Sequence, residues 1–435
     1  MKYARALSLV IILIAILSLF ANGIKSVVKD PKSFGVFASP LKKFIDFPST
    51  IASAFTEVSR LPTYVEVDTS FKEVNSLDYD LFMMNSHFDS DNLKWIITLS
   101  NLRDNHVLHE WFLNEDNFVF TYSNFRNSDI KGPILLSDRS VIAMTDESEN
   151  LYRLDSNSNI IWHNTDRHFH HSLNLASDGN IWICTRDLAY THMPDGKMAE
   201  FRDNSIAKID IETGKMLYEK SITEMLMENG YTYLIHGYGN TTNVPAADDP
   251  YHLNDIEPAL TDGQYWDKGD LFLSIRHRSA IIQYRPSSNK IIRLINGPFI
   301  YQHDVDITSD STISLFNNNV SAMWKFYPNE KEQSIIDEGK KLGRLKSAEL
   351  VEYNFSDSTF TFPMLNLFQE EAIYTGSQGL HSMLSNGDIF VESQNPGKVY
   401  VLGENGVKLR SYVNPKIDGY TERAHWIRTY ENVDF

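Results

Sequence analysis

The residues best suited to chemistry stand at matching points of an internal repeat. His171 lies seven residues before Asp178 and His303 seven before Asp310, so equivalent positions in two repeats are both histidine. A further copy supplies His252 and Asn254, in Tyr251-His252-Leu253-Asn254-Asp255, and Arg276, in Leu273-Ser274-Ile275-Arg276-His277. Imidazole is neutral yet strongly nucleophilic near pH 7, because its unperturbed pKa is about 6.5. Guanidinium is a permanent cation whose fork fits two oxygens of one anion. A second histidine can protonate a leaving oxygen. Together these are the parts needed to move a small anionic group through an enzyme-bound intermediate.

Such residues, far apart in sequence, act together only if the fold converges them. From about Asp68 a pattern recurs of a short apolar strand, a polar turn of the Ser-Asp-Gly type, a second apolar strand and an outer pair ending in an aromatic. Ser177-Asp178-Gly179-Asn180, Ser309-Asp310-Ser311-Thr312 and Ser385-Asn386-Gly387-Asp388 are the clearest turns, and Ser137-Asp138-Arg139-Ser140 is a degenerate one. Six units result, at about 68–125, 126–166, 167–226, 250–297, 300–365 and 374–414, with a closing segment after Val413. The expectation is an all-β, six-bladed β-propeller over 68–435, whose first strands line a central channel where the histidines can meet. Two packed β-sheets are the alternative. Ile222–Asn229 and Asn329–Gly343 read as helical insertions on loops.

The N-terminus carries a different signal. Lys2 and Arg5 precede an almost wholly apolar run from Ala6 to Ile24, which reads as a signal-anchor or transmembrane segment over 1–26, with a juxtamembrane stalk over 27–67. Ala21-Asn22-Gly23 loosely fits a cleavage site, although the apolar run exceeds a usual signal core. The expected location is a single-pass anchor in a bacterial inner membrane, with the catalytic domain in the periplasm or outside the cell.

Composition narrows the partners. A net charge of -17 argues against nucleic acid, which needs a basic field. Neither a Gly-x-x-x-x-Gly-Lys nor a Gly-x-Gly-x-x-Gly stretch occurs, so no cofactor is expected and nucleotide donors have no visible seat. The single cysteine, Cys184, forbids an intramolecular disulfide and reads as buried filler.

The stretches HHSLNLASDGNIWI from His170, HLNDIEP from His252, LSIRHRSAIIQY from Leu273, QHDVDI from Gln302 and GSQGLHSMLSNGDIFV from Gly376 span about 167–402. In order and spacing the chain resembles the bacterial arylsulfate sulfotransferases that use no nucleotide donor. The resemblance implies a ping-pong reaction. An aryl sulfate would pass its sulfuryl group to His303 as nucleophile, and a phenol would then take it. His171, His252, Asn254 and Arg276 would hold the sulfate and phenolic oxygens, with Ser377 and Gln378 supporting them from the sixth unit. Loss of Arg276 should harm the reaction more than loss of Asn254. The N-terminal β-sandwich that some members use in pairing is not supplied by the first 67 residues, so the oligomer stays open.

Plainer readings stand beside these. His303 could be a half-buried strand histidine, His252-x-Asn254 a polar loop and Arg276 half of a structural salt bridge. His163, His168, His170 and His171 invite a metal, but strand alternation would put His168 and His170 on one face and His171 on the other. By the same rule His277 should face away from Arg276. Trp162, Trp182 and Trp324 read as core. A non-catalytic envelope propeller that binds a partner or glycan, or a quinone- and calcium-dependent propeller dehydrogenase, would share the fold.

Overall fold

A computed structural model describes residues 64–119, 128–192, 200–236, 249–320 and 347–434. The segment over 1–26, the stalk up to residue 63, the Asn329–Gly343 insertion and Trp324 lie outside them. Residues 62–435 form one compact unit.

The described chain is all-β. Its strands fall into six antiparallel sheets of four or five strands and one small sheet of three. In the second to sixth sheets the chain runs strand after neighbouring strand, starting from Ile130–Leu135, His168–Leu175, Leu253–Pro258, His303–Ile307 and Leu380–Met383. These starting strands pack on those of the adjacent sheets. The first sheet differs, because its corresponding strand, Arg428–Tyr430, comes from the C-terminal end and pairs with Phe82–Asp89. Val74–Asn75 in turn joins the outer edge of the sixth sheet against Gly406–Tyr412. Both chain ends of the unit are thus tied into sheets made by the other end, which hides edges that would otherwise be unpaired. The result is propeller-like, and seven separate sheets are not the two faces of a sandwich.

Local chemistry explains the turns. The carboxylates of Asp178, Asp138 and Asp155 accept from the backbone N–H of Asn180, Ser140 and Asn157, closing side-chain turns. Gly179 and Gly387 take the left-handed position next to them, at φ +82° and +87°, and in the degenerate copy Arg139 is forced into it at φ +66°. Between the sheets, apolar side chains interlock. Trp182 and Cys184 pack with Leu253, Leu271 and Tyr284 of the fourth sheet, and Trp162 packs with Ile181 and Ile183 of the third. Ile222–Glu228 is helical, with the Ser221 hydroxyl accepting from the Glu224 amide at its start. No helix among the described residues is long and apolar enough to cross a membrane.

The innermost strands are irregular in one consistent way. A residue of left-handed backbone stands in or beside each of the six: Gly132, His171, His252, Asp304, Gln378 and Trp426, all with φ between +51° and +60°. Register slips mark β-bulges between Lys131 and Ile134, Phe169 and Leu173, Leu253 and Asp255, and His303 and Val305. A bulge leaves amides out of the ladder, and a buried amide needs an acceptor. Carboxylates provide it. His171 N–H donates to Asp146 Oδ1 (2.8 Å), His252 to Asp249 Oδ1 (2.9 Å), Val305 to Asp255 Oδ2 (2.7 Å), His381 to Asp304 Oδ2 (2.6 Å) and Ile427 to Glu392 Oε2 (2.6 Å).

Candidate active site

These bulges bring His171, His252 and His303 together from three sheets. The ring centroids of His171 and His252 are 4.7 Å apart and those of His171 and His303 6.1 Å. Nε2 of His252 lies 3.2 Å from Nε2 of His171. Trp426, just before the C-terminal innermost strand, sets its ring 6.2 Å from His303 and 6.5 Å from His171.

The tautomer of His303 can be worked out from its neighbours. Asn318 donates through Nδ2 to the carbonyls of Gln378 (2.6 Å) and Thr375 (3.1 Å), which fixes its amide so that Oδ1 faces His303 Nδ1 at 2.6 Å. Nδ1 must therefore carry the proton. Nε2 keeps its lone pair, and the Gln378 N–H donates to it at 3.2 Å. His303 has no exposed surface. Burial first, and then the charge of Arg276, hold its pKa well below the ordinary histidine value. The result is a neutral imidazole of defined tautomer over the whole physiological range.

Arg276 lies beyond the strand Leu271–Ile275, on the one-turn helix Arg276–Arg278. That turn cancels strand alternation, so His277 does not face away. His277 Nε2 accepts from Arg276 Nη1 at 2.9 Å, its Nδ1 donates to the Asp249 carbonyl at 2.7 Å, and its ring stacks on His252 at 4.4 Å. Arg276 stands over the Tyr301 ring at 5.0 Å. No carboxylate among the described residues lies within ion-pair distance of it, and its Nε has no hydrogen-bond partner there. Burial lowers its pKa to about 10, which leaves it charged at neutral pH. A buried guanidinium held by a histidine and an aromatic face is a seat for an anion.

Lys131 is a second cation at the site, and the sequence reading passed over it. It sits seven residues before Asp138, the very spacing that singled out His171 and His303, but in the degenerate repeat. Its ammonium is fully buried, 2.5 Å from Asp146 Oδ2. Its charge contributes to holding both His171 and His303 neutral, after burial and nearer groups.

A chain of rings leads away from this centre. His252 Nδ1 lies 2.6 Å from Asp249 Oδ2, and His171 Nδ1 2.9 Å from His170 Nδ1. Although burial opposes it, His252 and Arg186 hold the Asp249 carboxyl well below its usual range, so Asp249 is an anion that orients His252. Strand alternation also fails at His170 and His171, because three residues, His170, His171 and Ser172, face a single partner across the bulge. Glu147, His170 and His171, and likewise Asp249, His252 and His277, put three donor atoms each within 4.8 Å. Arg186 already serves both groups as their cation, paired with Glu147 and 3.5 Å from Asp249.

The two remaining sequence candidates stand back from the rings. Asn254 is fully buried, and its Nδ2 donates to the Gln302 carbonyl at 2.8 Å, which ties the fourth sheet to the residue before His303. Ser377 braces its loop, its N–H donating to Asn395 Oδ1 at 2.9 Å, and the next residue, Gln378, is the one that reaches His303.

A family model described as Arylsulfotransferase (ASST) matches residues 132–412, more than half of the 435. No curated protein matches the sequence. Among solved structures, a protein of unknown function from Bacteroides caccae is 9% identical, covering 81% of this chain and 99% of its own, with a TM-score of 0.48. A catalytically inactive virginiamycin B lyase from Staphylococcus aureus with quinupristin is 12% identical over 79% of this chain and 88% of its own, at a TM-score of 0.40.

Proposed function

Since the chain belongs to the arylsulfotransferase family, we propose that it moves a sulfuryl group from an aryl sulfate ester to a phenolic acceptor, through a sulfohistidine at His303 and without a nucleotide donor. The observation that carries this reading is the fixed tautomer of His303, whose unprotonated Nε2 lies in the field of a guanidinium that has no carboxylate within ion-pair distance among the described residues.

In the first half-reaction the Nε2 lone pair attacks sulfur, and the bond from sulfur to the aryl oxygen breaks. The electron pair leaves on the phenolate. Arg276 and Lys131 balance the charge of the three sulfuryl oxygens, and preorganised cations in a water-poor site are the largest lever such a reaction has. His252, oriented by Asp249, hands a proton to the departing oxygen, and the ring chain through His171 and His170 shares it. In the second half-reaction a phenol returns that proton to His252 and attacks sulfur, and the S–N bond breaks to restore neutral His303. Trp426 and Tyr301 offer aromatic surface for the aryl group. Asn254 acts as a positioning residue through Gln302.

The reading extends to architecture and place. The six larger sheets are taken as six blades, with the C-terminal strand closing the first. The apolar segment over 1–26 is taken as an anchor holding this domain at the outer face of a bacterial inner membrane, which separation of washed membranes from soluble contents would test. The activity test is transfer from 4-nitrophenyl sulfate to phenol by purified protein with no nucleotide added. Turnover that is lost in His303→Ala supports the reading, and a wild type inert with a panel of aryl sulfates contradicts it.

A further inference from the structure

A second cluster of ionisable groups, bordered by Trp426, takes no part in the chemistry above. The innermost strands of the fourth and fifth sheets carry the same pattern, Asp255-Ile256-Glu257 and Asp304-Val305-Asp306. Asp255 and Glu257 alternate on a regular stretch and share a face, and on the neighbouring strand the left-handed bulge residue Asp304 still comes beside Asp306. Glu257, Asp304 and Asp306 line a cavity of about 290 Å³, together with His381, Trp426 and Arg428. Two of the four have structural work, Asp255 accepting from the Val305 amide and Asp304 from the His381 amide. Among the described residues Asp306 accepts from no bulge amide in this way, and Glu257 meets the backbone N–H of Ile307.

His381 gives the cluster its direction. Its side chain has no exposed surface. Nε2 lies 2.5 Å from Ser314 Oγ, a hydroxyl that can accept from it or donate to it, so the tautomer with a bare lone pair on Nδ1 is open to this ring. Nδ1 lies 2.8 Å from Asp304 Oδ2 without the alignment of a hydrogen bond, and it has no other partner. Burial, and after it Asp255, raise the Asp304 carboxyl well above its ordinary value, so either a proton or a metal cation can stand between that oxygen and an Nδ1 lone pair. Asp304, Asp306 and His381 place one donor atom each within 4.8 Å of one another. Mutual repulsion adds to burial in raising the carboxyls of Glu257 and Asp306, the latter to about 8. Arg428 acts on Asp304 and Asp306, while its Nε and Nη2 donate to the carbonyls of Gly132 and Leu173 and to Asn174.

We propose that Asp304, Asp306 and His381, with Glu257 beside them, form a binding site for one divalent cation, Mn²⁺ or Zn²⁺. Carboxylates alone would favour Mg²⁺ or Ca²⁺, whereas one imidazole among them shifts the preference to these softer ions. The Ser314 hydroxyl takes the part usual behind a metal-bound histidine, accepting from the ring nitrogen that does not bind. The cation would link the fourth, fifth and sixth sheets.

The test is calorimetric titration of chelator-treated, full-length protein with MnCl₂ and ZnCl₂, and with MgCl₂ for contrast, on wild type, Asp306→Asn and Glu257→Gln. Imidazoles near His303 could also take Zn²⁺, so the decisive quantity is the difference in stoichiometry between proteins. The inference expects Asp306→Asn to bind one ion fewer per chain than wild type, with an unchanged near-ultraviolet circular dichroism spectrum, and Glu257→Gln to bind that ion at least tenfold more weakly. Amides mimic the protonated carboxyls, so both variants should fold; if one does not, the other decides. Equal stoichiometry and affinity in wild type and the folded variants, or no uptake by wild type, overturns the proposal.

Discussion

At the scale of single residues, the account rests on how His303 is held. Asn318 fixes its tautomer from one side and the Gln378 amide meets its lone pair from the other. Asn318→Ala removes the fixing contact without touching a substrate, and kcat/KM for an aryl sulfate should fall on the order of 10²-fold, the usual cost of a misoriented group, while the circular dichroism spectrum stays unchanged. Arg276→Ala should cost about 10²–10³-fold, as loss of one preorganised donor does elsewhere, with the fall measured in kcat. His303 was legible because it lay at a repeated spacing. Asn318 was not, because it follows the second strand of its sheet, Thr312–Asn317, where no repeat phase marks it. Lys131 was legible in principle, since it shares the seven-residue spacing, but Arg139 and Ser140 disguise its turn.

At the scale of elements, the informative features are the irregular ones. Strand alternation fails at the third-sheet bulge and on the turn Arg276–Arg278. There, backbone geometry re-aims His170 and His277 toward groups that a regular strand would have turned them from. Gly379 shows what such geometry demands. At φ +103° it lies where an added Cβ would come within 2.7 Å of Phe316 and 2.8 Å of Thr375. Gly379→Ala should lower stability by about 1–3 kcal/mol, through the strained φ and the crowding. Because the neighbouring Gln378 amide meets His303, the same variant should lose activity at temperatures where it is still folded. Chemical denaturation and initial rates on one preparation would show both effects. The helix at Ile222–Glu228 was legible as a helical insertion over Ile222–Asn229, whereas closure by Arg428–Tyr430 was foreseen only as a segment after Val413, because three residues carry too little pattern to assign a partner.

At the scale of the whole molecule, buried ionisable groups make stability depend on pH in two opposed ways. Glu392 receives the amides of Trp426 and Ile427 and so latches the C-terminal strand onto the sixth sheet. Burial raises its pKa to about 7. A carboxyl raised in the fold contributes stability that is present below its unfolded value and is lost as pH rises through its folded one. Buried His170 and His277 do the reverse. Burial lowers them to about 3 and about 2, so their contribution is present above the ordinary histidine value and is lost as pH falls below about 6.5. Two histidines outweigh one carboxyl, so the melting temperature should rise from pH 4 to about pH 7 and level off above it. Glu392→Gln should steepen the rise between about pH 5 and 7, which calorimetric scans across the pH range would check.

The central claim, that His303 carries the sulfuryl group between donor and acceptor, is tested most directly by peptide-resolved mass spectrometry after brief exposure to 4-nitrophenyl sulfate alone. The account predicts one added sulfuryl group, on the peptide containing His303, discharged when phenol is supplied. Transfer that proceeds with no adduct, or with the adduct on another residue, would contradict it.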